Sequence, residues 1–383
     1  MTDTSSAKTA LQIRSLVKSS GELELSLARI PVPAPKENEV VVRVDAAPLN
    51  PSDIGLFFGA ADMTTAKASG TAEAPVVTAS IPEAARKSMA ARADRSMPVG
   101  NEGAGLVIAA GTAPAAQALL GKTVAFLAGG GSYGTACAVP VEMTLVLPPG
   151  ATAVGGASSF VNPLTALGMV ETLRREGHTA LVHTAAASAL GLMLNRICQK
   201  DGIPLVNVVR KAEQETILRD LGAEHVVNTS SPTFMADLTR SVTATGATLA
   251  FDALGGGPLA GQLLTAMEAA LAKKAGEYSR YGTSVHKQVY IYGGLDPAPT
   301  TFTRGFGMAF GIGGWLVFPF LRKIGSEATE KLKARVAAEL TTTFATRYAK
   351  QMSLAETLQM DNIHGYYRRA TGEKYLVLPN RGR

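Results

Sequence analysis

Cysteine is nearly missing from this chain of 383 residues: there are two, Cys137 and Cys198, far apart. That excludes a disulfide framework and any cysteine-rich zinc module. Histidine is almost as scarce, and the five, at 178, 183, 225, 286 and 364, show no ligand spacing. His183 falls on an apolar strand and is expected to be a hydrogen-bonded core residue. No Lys/Arg-rich run occurs, so the net charge of +6 is spread thinly, which argues against a nucleic-acid surface. The uncharged stretch 305–321 is shorter than the about 18–20 residues a span needs. It carries five glycines and Pro319, and reads as a buried strand and loop. The first twenty residues hold Asp3, Lys8, Arg14 and Lys18 and lack the apolar centre of a secretory signal. A cytoplasmic location without membrane contact is the expectation. What is present is ordinary globular stock, 46% apolar and 18% charged, enough for two to three domains at about 150 residues each.

Three stretches follow along the chain. Up to about residue 150, short strands and loops alternate. Residues 39–45 (Glu-Val-Val-Val-Arg-Val-Asp) and 121–127 are predicted strands, because β-branched residues dominate them. Residues 60–97, rich in Ala, Ser and Thr without periodicity, read as a loop or insertion. From about 155 to 320 strands and helices alternate. Strands are predicted at 179–184, 204–209, 225–228, 248–252 and 288–292, with a sixth at 314–318. Apolar residues at 190, 193, 194 and 197 mark one helix face. Gly222 is expected to stop a helix running through Ile217 and Leu221, and Ser231-Pro232 to open another. This order predicts an α/β chain with a doubly wound, parallel six-stranded Rossmann domain. Beyond 321 come a charged helix at 327–340 and a terminal strand within 372–379.

The chemistry turns on the loop after the first of these strands. Ala185-Ala186-Ala187-Ser188-Ala189-Leu190-Gly191 stands where a dinucleotide fingerprint has its glycines, in the frame Ala186-x-Ser188-x-x-Gly191. Small residues let backbone approach a pyrophosphate, and a helix starting near Ser188 aims free N–H groups at it. Ser188 adds a hydroxyl. The second strand ends in Val209-Arg210-Lys211. An NAD site usually carries an acid there for the ribose hydroxyls. Two cations instead suit a 2′-phosphate, which a guanidinium grips by paired bonds. NADPH is therefore expected over NADH.

At this point the chain resembles the medium-chain dehydrogenase/reductase superfamily, in its zinc-independent quinone oxidoreductase-like branch, which includes the zeta-crystallins and enoyl reductases. The matching motifs run in order over most of the chain. They are Asn50-Pro51-Ser52-Asp53, Gly100-Asn101-Glu102-Gly103-Ala104-Gly105, Asn162-Pro163-Leu164-Thr165-Ala166, the 185–191 turn, Leu221-Gly222-Ala223, Phe251-Asp252, Tyr292-Gly293-Gly294 and Thr371-Gly372-Glu373-Lys374. The resemblance implies a GroES-like β-barrel catalytic domain built from residues 1–154 and 321–383, around an NADP-binding Rossmann domain at 155–320. It also implies a homodimer, with the sixth strand pairing across to its twin. Cofactor contacts are expected from Asn50, Thr165, Ala186, Ser188, Ala189, Leu190, Gly191, Arg210, Lys211, Leu254, Gly255, Tyr292, Gly293 and Gly294. Asn50 and Tyr133 are the candidate catalytic residues.

The departures shape the chemistry. Zinc-dependent relatives carry Cys at the position of Asn50 and His at that of Asn101, and an amide is a poor zinc ligand. No metal is expected. Without a Lewis acid, an acceptor that spreads charge through conjugation is favoured. This implies an NADPH-dependent reductase of quinones or α,β-unsaturated carbonyls, with enoyl thioester (CoA or acyl-carrier) reduction as the alternative. The tyrosine donors of relatives would fall near Gly55 or Ala61 and are missing. That leaves open an NADPH-binding protein with little catalysis. Substrate-pocket residues are expected from 55–97, Phe160 and 296–320.

Overall fold

A computed structural model describes residues 9–276, 278–368 and 370–382; Asp3 and Lys8 of the N-terminal segment lie outside them. The chain forms two compact units, one from residues up to 161 together with 335 onward, the other from 162–334.

The first unit is built on two sheets. One holds five strands in the order Asp62–Gly70, Pro75–Ser80, Glu22–Pro31, Thr9–Lys18 and Ser96–Pro98. The other runs Thr144–Val146, Thr123–Leu127, Glu102–Ala110, Glu39–Pro48, Tyr375–Val377 and Lys350–Met352, with Ala136–Pro140 also pairing Glu39–Pro48. The inward-facing Val40, Val42 and Val44 of strand Glu39–Pro48 join Phe57, Phe126 and Tyr133 in one core. Strand Glu102–Ala110 lies against it so closely that a Cβ on Gly105 would sit 1.8 Å from the Arg43 carbonyl oxygen. The register shifts at Val44/Ala46, opposite this glycine, so the glycine motif serves a bulged strand pair.

Residues 60–97, read as a loop, instead supply strands Asp62–Gly70 and Pro75–Ser80, helix Glu83–Met89 and the start of strand Ser96–Pro98. Strand Asp62–Gly70 is almost wholly exposed, so it needs no alternating apolar face. Its register comes from pairing with Pro75–Ser80, which composition does not display.

The second unit is a six-stranded sheet in the order His225–Asn228, Leu205–Val209, Leu181–Thr184, Leu249–Asp252, Lys287–Ile291, Phe310–Gly314. Every neighbouring pair is parallel. This is the Rossmann order, which reverses between strands Leu181–Thr184 and Leu249–Asp252 and leaves a crevice at their carboxyl ends.

Two predicted boundaries shift. The sixth strand is Phe310–Gly314 rather than 314–318, and residues from Val317 form helix Val317–Ile324. Pro319 sits in that helix's first turn, where no N–H is required of it. The strand is half-exposed rather than buried, and glycine-rich because Gly311 and Gly313 accept the Gln288 and Tyr290 side chains of the neighbouring strand. Ser231-Pro232 precedes helix Phe234–Thr245 without capping it: Ser231 Oγ accepts from Thr233 N at 3.2 Å. Helical residues 153–175 are long and apolar enough to cross a membrane, and 72% of their most apolar window is buried inside the fold, as in a core helix.

Candidate functional site

In the second unit, the crevice is lined from strand ends inward. Ala185 follows strand Leu181–Thr184 with φ of 52°, a left-handed conformation unusual for a residue with a side chain. Helix Ala189–Asp201 starts at once: Ser188 is its N-cap, and its Oγ accepts from Gly191 N at 3.1 Å. The Ser188 oxygen predicted to face a phosphate thus also organises the helix. Gly191 is dictated by packing, since a Cβ there would lie 2.1 Å from the Ala186 carbonyl oxygen. Ala186, Ala189 and Leu190 fall in the same turn, so the helix N-terminus, with its free N–H groups and partial positive charge, sits at the crevice.

At the end of strand Leu205–Val209, Arg210 and Lys211 are both exposed. Their backbone N–H groups donate to Gln214 Oε1 at 3.0 and 3.2 Å, and Ser230 Oγ donates to the Arg210 carbonyl at 2.8 Å. The loop is held while neither cation makes an ion pair among the described residues, leaving both free for an anion.

Across the crevice, Asp252 accepts from Thr184 Oγ1 (2.8 Å), Leu254 N (3.0 Å) and Gly255 N (3.1 Å). It ties two strand ends and the next turn together. Gly255, at φ of 75°, would place a Cβ 2.6 Å from the Gly293 carbonyl oxygen, so these two glycines let adjacent loops touch. Gly294 has open space at its Cβ position. Tyr292 OH pairs with His183 Nε2 at 2.7 Å. Burial drives the His183 imidazole down to about 3, so it stays neutral, as a core residue would. Thr165 is buried in helix Val161–Arg175.

The first unit holds a second constellation. Asn50 caps helix Pro51–Phe58. Its N–H donates to Asp53 Oδ2 at 2.8 Å, and its Nδ2 donates to Glu102 Oε1 at 2.7 Å. Asn101 repeats the pattern, with N and Nδ2 donating to Asp53 Oδ1 at 2.9 and 2.8 Å. Glu102 Oε2 accepts from Val161 N (2.8 Å) and Phe160 N (3.3 Å). The ammonium of Lys374, the residue before terminal strand Tyr375–Val377, is sealed from solvent and feels the charge of both carboxylates. Burial pushes Asp53 up to about 7, with the neighbouring Glu102 charge adding to it, against the bonds from Asn50 and Asn101. Burial likewise raises Glu102 and lowers Lys374. Tyr133, the other candidate, is fully buried against Phe57, and its hydroxyl donates to the Pro48 carbonyl at 3.0 Å. Its proton is committed to the chain itself.

Asp53, Glu102 and Lys374 were not singled out from the sequence. Each is a charged residue inside a motif of small and amide residues, and that was the available signal. Among the described residues no group of three or more His, Cys, Asp or Glu is arranged to hold a metal ion.

No family model matches the chain. The mitochondrial enoyl-[acyl-carrier-protein] reductase of Xenopus tropicalis is 30% identical over 210 residues, 53% of this chain and 51% of that protein. The chain therefore aligns with about half the length of that relative. A protein assigned as an NADPH:quinone reductase, from Mesorhizobium loti, superposes with a TM-score of 0.73 at 24% identity, over 99% of this chain and 100% of its own. A mycobacterial protein solved in complex with NADPH has a TM-score of 0.69 at 17% identity, over 96% and 100%. These likenesses establish a Rossmann unit joined to a GroES-like one.

Proposed function

Starting from a chain with the fold of the medium-chain dehydrogenase/reductase superfamily, in its quinone oxidoreductase-like form, we propose an NADPH-dependent, zinc-independent oxidoreductase. Its acceptor is a quinone or an α,β-unsaturated carbonyl. The observation that carries the reading is the unpaired Arg210-Lys211 cation pair beside the Ser188-capped helix, at the switch point of a Rossmann sheet. Ser188 and the first turn of helix Ala189–Asp201 would hold the pyrophosphate. Gly191 keeps that turn against the strand, and Arg210 and Lys211 would hold the 2′-phosphate. Thr165, Leu254, Gly255, Tyr292, Gly293 and Gly294 are assigned to the rest of the cofactor. Bound there, the reduced nicotinamide supplies a hydride. The NADPH complex of a structural neighbour supports the cofactor.

Zinc independence rests on Asn50 and Asn101. Both amides spend their N–H groups on Glu102 and Asp53, and an amide is a poor zinc ligand beside thiolate or imidazole. The enoyl thioester alternative is supported by the similarity to a mitochondrial enoyl reductase. Assaying NADPH oxidation with quinones, enones and enoyl thioesters decides among them. Turnover of none, with NADPH bound tightly, would replace this reading by a binding protein with little catalysis.

Arg210→Ala is expected to weaken NADPH binding about 10- to 100-fold, the worth of a charge-assisted bond, and to leave NADH binding unchanged. Equal loss for both, by fluorescence titration, would remove the 2′-phosphate role. We also propose a cytoplasmic homodimer built on edge strand Phe310–Gly314, whose Ile312 is 36% and nearby Met308 72% exposed. Lysine guards strand edges against pairing, so Ile312→Lys is expected to sediment as a monomer. A dimer retained in that variant would place the contact elsewhere.

A further inference from the structure

The second unit carries an open cavity of about 560 Å³ that the cofactor reading leaves unused. That volume lies inside the about 300–1,000 Å³ range of small-molecule sites. It sits at the end of the sheet opposite the nucleotide crevice. His178 stands shortly before strand Leu181–Thr184, Thr248 directly before Leu249–Asp252 and His286 directly before Lys287–Ile291, and in a parallel sheet these are the amino ends. Gln288 and Tyr290 of the last of these strands, and Glu176 of the loop after helix Val161–Arg175, complete the polar wall. All belong to the one unit. Glu176 and His286 are exposed, so solvent reaches the cavity.

The wall is rich in acceptors and short of positive charge. Among the described residues no lysine or arginine lines it. Tyr290 OH donates to both Glu176 oxygens, at 2.8 and 3.0 Å, which leaves each oxygen a further lone pair. Gln288 Oε1 only accepts, so His286 Nε2, 3.3 Å from it, carries the proton, and Nδ1 of the neutral ring is an acceptor. His178 Nδ1 pairs with Thr248 Oγ1 at 2.7 Å, which leaves Nε2 for a ligand. Burial lowers the His178 imidazole, against the pull of Glu176 and with His286 adding to the fall, so this ring is neutral at pH 7. The Glu176 carboxylate then sets the field. It repels an anion, and a metal ion finds no set of three ligands among the described residues.

We propose that this cavity is a binding site for a small molecule carrying a guanidinium group. The planar fork suits the free lone pairs of Glu176, which it takes by paired charge-assisted bonds. The imidazole nitrogens of His178 and His286 accept from its remaining N–H groups, and the Tyr290 ring adds cation–π attraction. The site does not depend on the reductase reading, because it shares no residue with the nucleotide crevice.

The test titrates the full chain with butylguanidinium and with butylurea, its uncharged isostere, by calorimetry. Wild type is expected to bind butylguanidinium with a dissociation constant below about 1 mM, and at least about 10-fold more tightly than butylurea, the least that charge-assisted bonds give. Glu176→Gln should erase that preference. Glu327→Gln, which removes an exposed charge elsewhere in the same unit, should bind as wild type does. The titratable groups facing the site are Glu176, His178, His286 and Tyr290, the last kept protonated because burial and the Glu176 bond push it up to about 12. Binding should therefore weaken as pH falls below the ordinary histidine value of 6.5, where imidazolium rings repel the ligand. The imidazole NMR signals of His178 and His286 should shift during the titration. Equal affinity for the two compounds in wild type, a preference that survives in Glu176→Gln, an equal loss in Glu327→Gln, or imidazole signals that stay in place would each overturn the proposal. Acetylarginine amide stands for the arginine side chain of a protein, and its binding more tightly than butylguanidinium would overturn the small-molecule occupant.

Discussion

Replacing Glu268 by alanine is expected to destabilise the Rossmann unit by about 3–5 kcal/mol, the cost of breaking a buried ion pair from one side. Lys287 is fully buried, and its ammonium reaches Glu268 Oε2 at 2.6 Å. The same carboxylate accepts from Thr283 N (2.7 Å) and Thr283 Oγ1 (2.8 Å), and Lys287 also donates to the Val285 carbonyl at 3.1 Å. Gly282 and Gly307 press so closely on the carboxylate that a Cβ would lie 2.6 and 3.0 Å away. Truncating Glu268 would leave a buried charge with only weaker partners and release the loop before strand Lys287–Ile291. The double replacement Glu268→Leu with Lys287→Met removes both charges and should recover most of the loss. Trp315, the sole tryptophan and a member of this unit, reports its unfolding by fluorescence. Burial alone would raise the Glu268 pKa, but the bonds from Lys287 and Thr283 outweigh it and the net shift is downward. Its contribution is therefore complete above the unfolded value of 4.5 and is lost as pH falls through the lower folded one. A Glu268→Ala transition within about 1 kcal/mol of wild type, or one with unchanged acid dependence, would show that the pair is not a structural anchor.

Gly191→Ala is expected to abolish cofactor binding. The added methyl would meet Ala186 O at 2.1 Å, Ala186 C at 2.6 Å and Ala186 Cα at 2.8 Å, all backbone atoms that no rotamer change can move aside. The first turn of helix Ala189–Asp201 must then retreat from strand Leu181–Thr184. The Ser188 cap, worth about 1 kcal/mol, is broken, and overpacking adds about 1–3 kcal/mol. NADPH affinity should fall about 100-fold or more, the combined cost expressed as binding. Gly155→Ala is the control, because a Cβ at this exposed helical position meets only Thr152 Oγ1, at an ordinary 3.4 Å, and it should bind NADPH as wild type does. Isothermal titration of the two variants separates them. Wild-type affinity in Gly191→Ala would mean that the pyrophosphate is not held at this helix.

The turn and strand ends that line the candidate crevice were legible in the sequence because their parts are local. An unbroken apolar strand, a turn of small residues, a capping serine and a glycine fall within eleven residues, and the Arg-Lys pair ends the next strand. Strands with one buried face were equally plain. Segments whose structure depends on a partner were not. Strand Asp62–Gly70 is exposed and takes its register from strand Pro75–Ser80. The sixth strand was placed on the bulky residues 314–318, whereas the chain uses the glycines of Phe310–Gly314, because those lie flat beneath Gln288 and Tyr290.

Composition and short-range pattern by themselves determined the fold class, the place of the small-residue turn after the first parallel strand, the cationic end of the second strand and the amides at positions 50 and 101. Only the tertiary structure decided what those amides bind, why Gly105 and Gly191 must be glycine, and that Lys374 is a buried cation. The physical reason is distance along the chain. Asn50, Glu102 and Lys374 come from three separate segments, and a charge's environment is set by what folding brings around it rather than by its neighbours in sequence.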